Sequence, residues 1–350
     1  MSHTARKTIH DVARRAKVSA ATVSRVLNES ATVAPGTVAR VRRAVQALDF
    51  RPNLAGRSLR AARTRSLGVV VPTLANPVFA ECLAGVEAGA RAHGHTLSLA
   101  TTGYKAAAEA DAVEALLRQR VDGLVLTVTD AARNRVLDRL DRERVPYVLV
   151  FNQLARAERP TVSVDNRAAA REIVEHLIGL GHRAIRMLTG QFRQSDRARL
   201  RYRGYCDALQ AAGLEPLPPL QMPFLAPDAR LPLVEGLAAR PRPTAFFCSN
   251  DYLALTVIRN LTALGRRVPD DVSVAGFDGI RIGELTAPSL TTVVQPSERI
   301  GGAAVELLLR RVVDTGEVAS VALQHTLRRG GSTAAVAANP RAGRALAVLS

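Results

Sequence analysis

Apolar residues recur in two rhythms along the chain, and the change of rhythm divides it. At the amino-terminal end Ile9, Val12, Ala13 and Ala16 fall at i, i+3, i+4 and i+7, the stripe of an amphipathic helix. A break at Lys17-Val18 follows, and Ser19 offers an oxygen to cap a second helix. In VSAATVSRVLN, Val23, Val26 and Leu27 form that helix's inner face. Its other face carries Ala20, Ala21, Thr22, Ser24, Arg25 and Asn28. A third helix is predicted from Pro35 to about Leu48, with Val38, Val41, Val45 and Leu48 on one side. Pro35 suits its first turn, where the missing N–H leaves no bond unmade. Three short helices with a tight turn between the first two outline a helix-turn-helix, whose second helix lies in the major groove.

From Ser66 onward short apolar runs alternate with helical stretches. SLGVVV, TLSLAT, DGLVLT and PYVLVF are predicted strands, separated by helices near 77–93, 106–120 and 131–144. A second series, TVSV, AIRMLT, TAFFCS and DVSVAGF, carries helices near 166–180, 197–213, 228–239 and 251–265. Such alternation specifies parallel, doubly wound α/β sheets. Two series predict two lobes, with a cleft between the carboxyl ends of their strands. Asp278 ends VAGFD, and Asn250-Asp251 end TAFFCS where a helix begins. A carboxylate there can accept from adjacent sugar hydroxyls, and an amide can donate and accept. Asp251 reads as the N-cap of the following helix.

Charge sharpens the division. The 350 residues carry a net +17, and 47% are hydrophobic, enough for about two domains. Residues 1–65 hold 14 Lys and Arg against Asp11, Glu29 and Asp49, a net +11. The remainder carries +6. Three amphipathic helices alone could form an inert bundle; a strongly basic head on a nearly balanced body predicts an anionic partner. Arg25 can fork onto guanine O6 and N7, worth ~1–3 kcal/mol of base discrimination. Thr22, Ser24 and Asn28 suit phosphate oxygens. Ala20 and Ala21 can touch thymine methyls. Aromatic residues make up 4% of the chain and form no stacking platform, which argues against single-stranded nucleic acid. Cys82, Cys206 and Cys248 are isolated and odd in number, so buried thiols are expected rather than disulfides or a zinc site. With no stretch of signal-peptide or membrane-span length, the chain reads as soluble and cytoplasmic, with no membrane partner.

TIHDVARRAKVSAATVSRVLN, VAPGT and ALDFRPNLAGRSLR resemble the LacI/GalR family of bacterial transcriptional regulators. The resemblance continues through SLGVVVPTLANPVFAECLAGVE, VDGLVLT, HLIGLGHRAI, FFCSNDYLAL, VPDDVSVAGFD and PSLTTVVQP, from about Thr8 to Thr333. It implies a helix-turn-helix domain over 1–50 and a hinge helix and linker over 51–65. A two-lobed, periplasmic-binding-protein-like core over 66–335 and a tail over 336–350 follow. The core divides into an N-lobe (about 66–160 and 295–322) and a C-lobe (about 161–294 and 323–335). Asn53, Ala55, Gly56, Ser58 and Leu59 match the minor-groove hinge, with Leu59 as the wedge that kinks the operator centre. Gly56 departs from the pattern and costs ~1 kcal/mol of helix propensity. Ala34 departs too, standing where a capping Ser is usual. The implied effector contacts are Phe79, Arg201, Phe224, Asn250, Asp278 and Gln295. Read without the resemblance, Arg201 is a solvated charge in RQSDRARLRYR. Arg193 and Arg197 share that run, whose density suggests an anionic effector such as a sugar acid. TTGYK and DDVSVAGFDGIRIGEL look like gluconate-type members.

Other signals are set aside. GLGHRA follows a helix and precedes a strand, the reverse of a dinucleotide loop, so Gly181 reads as a helix cap and His182 as structural. Ser195-Asp196 lacks a His partner, and GFDG is too short for a calcium loop. The expectation is therefore a DNA-binding repressor, with no catalytic residues, metal or cofactor. Its partners would be double-stranded operator DNA, a sugar or sugar-acid effector and a second copy of itself, with a tetramer possible. A sugar-binding protein without regulatory role and a purine-controlled corepressor system are the alternatives. The tail AAVAANPRAGRALAVLS fits either a disordered end or an added helix.

Overall fold

The computed structural model describes residues 7–28, 33–50, 64–154, 156, 158–225, 228–313 and 320–336. Contacts separate two units, Met1–Thr64 and Arg65–Ser350. The hinge and linker residues 51–63, with Asn53, Ala55, Gly56, Ser58 and Leu59, lie outside the described residues, as does the tail beyond 336.

In the first unit α1 (Ile9–Ala16), α2 (Ala20–Asn28) and α3 (Pro35–Ala47) close around Val12, Ala13, Ala16, Val23, Val26, Val41, Ala44 and Phe50. Lys17 ends α1 at φ 52°, and its left-handed backbone makes the turn that re-aims the chain into α2. Ser19 Oγ accepts from Thr22 N at 3.1 Å, so the predicted cap of α2 is made. The start of α3 at Ala34 has no side-chain cap, as the departure there implies.

The second unit holds two six-stranded sheets. The first uses β1 (Ser66–Val71), β2 (Thr96–Thr101), β3 (Gly123–Leu126), β4 (Tyr147–Val150), β5 (Thr161–Ser163) and β11 (Ser320–Ala322), in the order β11-β5-β4-β3-β1-β2. The second uses β6 (Ile185–Gly190), β7 (Leu220–Met222), β8 (Ala245–Cys248), β9 (Ser273–Asp278), β10 (Thr291–Val294) and β12 (Thr326–Arg328), in the order β12-β10-β9-β8-β6-β7. Helices α4 (Pro77–Ala92), α5 (Ala106–Arg118) and α6 (Arg135–Arg142) connect the first series, and α7 (Asn166–Gly179), α8 (Asp196–Ala211), α9 (Arg230–Ala238) and α10 (Asp251–Ala263) the second. Strand pairs are parallel apart from β10 with β12, and Val69 of β1 stands opposite Leu99 and Val125. The central strands β3, β4 and β8 are buried on both faces, which is why they read as unbroken apolar runs.

Two features differ from the sequence reading. TVSV belongs to the first sheet rather than opening the second: β5 pairs with β4 through Leu149↔Thr161 and with β11 through Val162↔Val321. A three-residue strand after a ten-residue loop carries no local sign of which sheet it joins. The chain also forms a long helix α11 (Ser297–Val313), unforeseen in SERIGGAAVELLLRRVV, which packs on α4, β3 and β4 of the first lobe. Elsewhere, Gly181 at φ 90° ends α7, and the His182 ring sits 2.9 Å from Thr244 Oγ1 and 3.2 Å from Ala334 O, the structural role expected of it.

Candidate ligand cavity and DNA-reading helix

Strand β9 ends at Asp278, and the next residue turns sharply. Asp278 has φ 124° and Gly279 φ 79°, and a Cβ at Gly279 would lie 2.5 Å from Val294 Cα, so no other residue fits that turn. Asp251, in the first turn of α10, holds it. Its Oδ2 accepts from Gly279 N (2.7 Å) and Ile280 N (2.8 Å), and Thr292 Oγ1 donates to Oδ1 at 2.5 Å. The N-cap is instead Asn250, whose Oδ1 accepts from Leu253 N at 2.7 Å. The expected cap at Asp251 is thus one residue off. Its carboxylate finds two donors on the neighbouring turn and a third on β10, whereas Asn250 reaches its own helix.

Burial, and next the charge of Asp278, push the Asp251 carboxyl from 3.8 up to about 7. The folded value lies above the unfolded one. Its stabilising contribution is therefore whole below about pH 4 and lost as pH rises through about 7. Thermal melting of the wild type and Asp251→Asn across pH 4 to 8 checks this. The asparagine can accept the two backbone N–H groups and donate to Thr292. The gap should widen in the variant's favour up to about pH 7 and then level; a flat gap excludes the titration.

Asp278 faces a cavity of about 30 Å³ between the lobes, lined by Asn76, Phe79, Tyr104, Arg197, Arg201, Phe224, Asn250 and Gln295 among others. Asn76 of the first lobe donates to Asp278 Oδ2 at 3.2 Å, and Gln295 Nε2 to Oδ1 at 2.9 Å. Arg201, rooted in α8, donates to Asp278 Oδ1 at 3.3 Å and to Asn166 Oδ1 at 2.9 Å, and lies 3.6 Å above the Phe277 ring. Burial pushes the Arg201 guanidinium down to about 10 against the pull of Asp278, and pushes the Asp278 carboxyl up against the pull of Arg201. Tyr104 of the first lobe stacks on Phe224 of the second, centroids 4.6 Å apart, and Phe79 meets Phe151 edge-on at 5.6 Å. The lobes are also joined at the start of α8. Asp196 Oδ2 accepts from Ala131 N (3.1 Å) and Asn152 Nδ2 (2.7 Å), and Arg197 Nη1 donates to Val128 O at 3.0 Å.

The structure therefore brings Phe79, Arg201, Phe224, Asn250, Asp278, Gln295 and Arg197 to one cavity. Arg193 is not among its lining; it is exposed and bonds Gln191 Oε1 at 2.9 Å. Arg201 is buried, not solvated, because Asn166, Ser249 O and Asp278 supply its partners. Asn76, Tyr104 and the Asp196 bridge were not foreseen. Tyr104 lies in a loop with no periodicity, at φ 60°, and Asn76 reads simply as the helix cap that it also is.

In the head, Ala21 and Arg25 are exposed, and Thr22 and Ser24 half-buried. Thr22 Oγ1 lies 2.9 Å from Ser19 Oγ, so its hydroxyl also serves the cap. Ala20 is partly buried and packs on the head's core, so it belongs less wholly to the outer face than its position implies. Nothing is described of the Asn28 side chain.

A three-helix head with an exposed arginine on its second helix, and a two-lobed body around a charged interlobe cavity, define a ligand-responsive DNA-binding protein. Residues 8–53 match the model for bacterial regulatory proteins of the lacI family, and residues 174–333 that of a periplasmic binding protein-like domain. The chain is 32% identical to catabolite control protein A of Priestia megaterium over 333 residues, 93% of this chain and 99% of the relative. The lac repressor dimer bound to operator and the anti-inducer ONPF superimposes with a TM-score of 0.82 at 28% identity, covering 94% of this chain and 99% of that one. The transcriptional regulator CelR–cellobiose complex gives a TM-score of 0.69 at 30% identity, covering 93% and 100%. The chain belongs to the lacI family of bacterial regulatory proteins, and it is a transcriptional regulator rather than an enzyme. Among the described residues no helix is long and apolar enough to cross a membrane.

Proposed function

We propose that this chain is a cytoplasmic, homodimeric repressor that binds a pseudo-palindromic operator and is controlled by a sugar or sugar acid held between its lobes. The observation that carries the control is the buried set Asn76, Arg201, Asp278 and Gln295, which draws on both lobes and converges on one carboxylate. An effector that competes for those bonds binds one lobe arrangement better than another, and DNA affinity shifts by that difference. Arg25 would read guanine, Thr22, Ser24 and Asn28 would position the helix on phosphates, and Ala20 and Ala21 would tune operator choice. Asn53, Ala55, Gly56, Ser58 and Leu59 would take the minor groove at the operator centre.

Footprinting on the DNA upstream of the chain's own coding region tests the reading. Protection of a two-fold site is expected, with log affinity falling steeply against log salt. A shallow salt slope with no preferred site rejects it. Arg25→Ala should weaken operator binding by ~1–3 kcal/mol. Replacing Ala20 and Ala21 with larger polar residues should change the preferred sequence without abolishing binding. Loss on every sequence would make the pair packing residues, a role that the partial burial of Ala20 already shares.

A further inference from the structure

The cavity lining carries two guanidinium groups, Arg197 and Arg201, against one carboxylate, Asp278. Arg201 is held through both Nε and Nη1: Nε meets Asn166, Nη1 meets Ser249 O and Asp278, and its face covers Phe277. Arg197 is not. It is 5% exposed, and among the described residues it donates through Nη1 alone, to Val128 O (3.0 Å) and Asp196 Oδ1 (3.2 Å). Asp196 is a divided counter-ion, because its other oxygen is held by Ala131 N and Asn152 Nδ2 on the first lobe. The Nε–Nη2 edge of Arg197 thus has no acceptor among the described residues, and it has the shape that takes a carboxylate bidentately. Arg197 also stands in the first turn of α8, a 16-residue helix whose Ser195 cap, Arg197 and Ala198 all line the cavity. The dipole there adds to the attraction for an anion.

A separate observation points to a hydroxylated ligand. Gln295 is 3% exposed, and its Nε2 is committed to Asp278 Oδ1 at 2.9 Å. That bond fixes the amide orientation, since a carboxylate accepts and only the NH₂ can donate to it. Gln295 Oε1 is left buried with no donor among the described residues, and it belongs to the same lining. A buried orphan acceptor is costly until a ligand O–H reaches it. Phe79, Tyr104 and Phe224 supply apolar faces for the C–H side of a carbon chain or ring.

We propose that the effector is a five- or six-carbon polyhydroxy carboxylate, its carboxylate on the free edge of Arg197 and a hydroxyl donating to Gln295 Oε1. This rests on the reading of the interlobe cavity as the effector seat. A cavity of about 30 Å³ has room for water rather than for such a molecule, so entry parts Tyr104 from Phe224. Those rings belong to different lobes, which ties occupancy to lobe position.

Titration calorimetry of the full-length protein tests it. The acids are D-gluconate, D-galactonate, D-glucuronate and D-galacturonate. Their neutral counterparts are D-gluconamide, D-glucose, D-galactose and D-sorbitol, with hypoxanthine as the purine probe. At least one acid should bind tenfold or more tightly than its uncharged counterpart. Arg197→Gln should bring that ratio close to one, and Arg197→Lys should retain part of it. Comparing acid with amide on the wild type needs no variant and stands even if the glutamine protein does not fold. A neutral sugar or hypoxanthine binding as tightly as any acid, no binding by any acid, or an undiminished ratio in Arg197→Gln overturns the proposal. If a neutral ligand binds and Asp278→Ala abolishes it, the cavity remains the effector seat and the carboxylate alone is rejected. An acid whose binding ignores Asp278→Ala lies elsewhere and removes both.

Discussion

Asp278→Ala is expected to abolish the effector response and to lower stability by about 3–5 kcal/mol, the usual cost of leaving a buried charge unpaired. Asp278 is the group on which Asn76, Arg201 and Gln295 converge. Removing it strands a guanidinium that is 6% exposed and leaves two amide donors without their acceptor. The pairing itself gains less than its breakage costs, because both ions give up water to form it. The double variant Asp278→Ala/Arg201→Met should therefore recover much of the lost melting temperature while still failing to respond to ligand. That split separates the two roles. A purely structural aspartate would have its ligand response restored along with its stability. If Asp278→Ala melts within 1 kcal/mol of the wild type and its ligand shift survives, the carboxylate is not the centre of the site.

The chemistry legible in the sequence was that of strand ends and helix faces. Asp278 and Asn250 terminate apolar runs of fixed length, so their arrival at the cleft follows from period and topology alone. The inner face of α2 is equally plain, since Val23 and Val26 are buried where the helical period puts them. Arg201 was opaque because its meaning depends on partners distant in sequence: Asn166, Ser249 and Asp278 come from three other segments. Without them, an arginine in an Arg-rich run is a surface charge. Asn250 and Asp251 were exchanged for a related reason. Either can cap a helix, and what decides is the turn at Gly279, which closes over Asp251 from another strand. Neither the Asp196 bridge nor Tyr104 has a periodic signature, because both lie where segments of different lobes meet.

Helix α11 is the largest element that went unread, and its contact with α4 makes the second strong prediction. Ile300, Ala304, Leu307 and Leu308 do carry a helical stripe, but Gly301-Gly302 in its first turns argues against a helix. The structure gives Gly301 a purpose. A Cβ on it would lie 2.0 Å from Cys82 O, and a Cβ on Gly85 of α4 would lie 1.9 Å from Glu298 O. The two helices touch backbone to backbone at this reciprocal pair, which a methyl group forbids. Gly85→Ala gains about 1 kcal/mol of helix propensity but must force the helices apart. Because backbone cannot rotate away as a side chain can, overpacking at the upper end of its usual 1–3 kcal/mol, or beyond, is expected. The net loss should be about 2 kcal/mol. Gly302→Ala is the internal control: its nearest neighbour would be Gly85 O at 4.0 Å, so the same change one residue along should stabilise by about 0.5–1 kcal/mol. Gly85→Ala and Gly301→Ala should not add, since helices already parted by one methyl accept the second at less cost. The ligand site should feel the parting as well. Helix α4 begins directly after Asn76, and α11 begins two residues after Gln295, so both amide partners of Asp278 ride on the displaced pair. Chemical melts of the three variants, with the ligand shift measured on each, decide it. A stabilising Gly85→Ala, or a Gly302→Ala as damaging as its neighbour, would show that the contact is loose and that α11 does not fix Gln295.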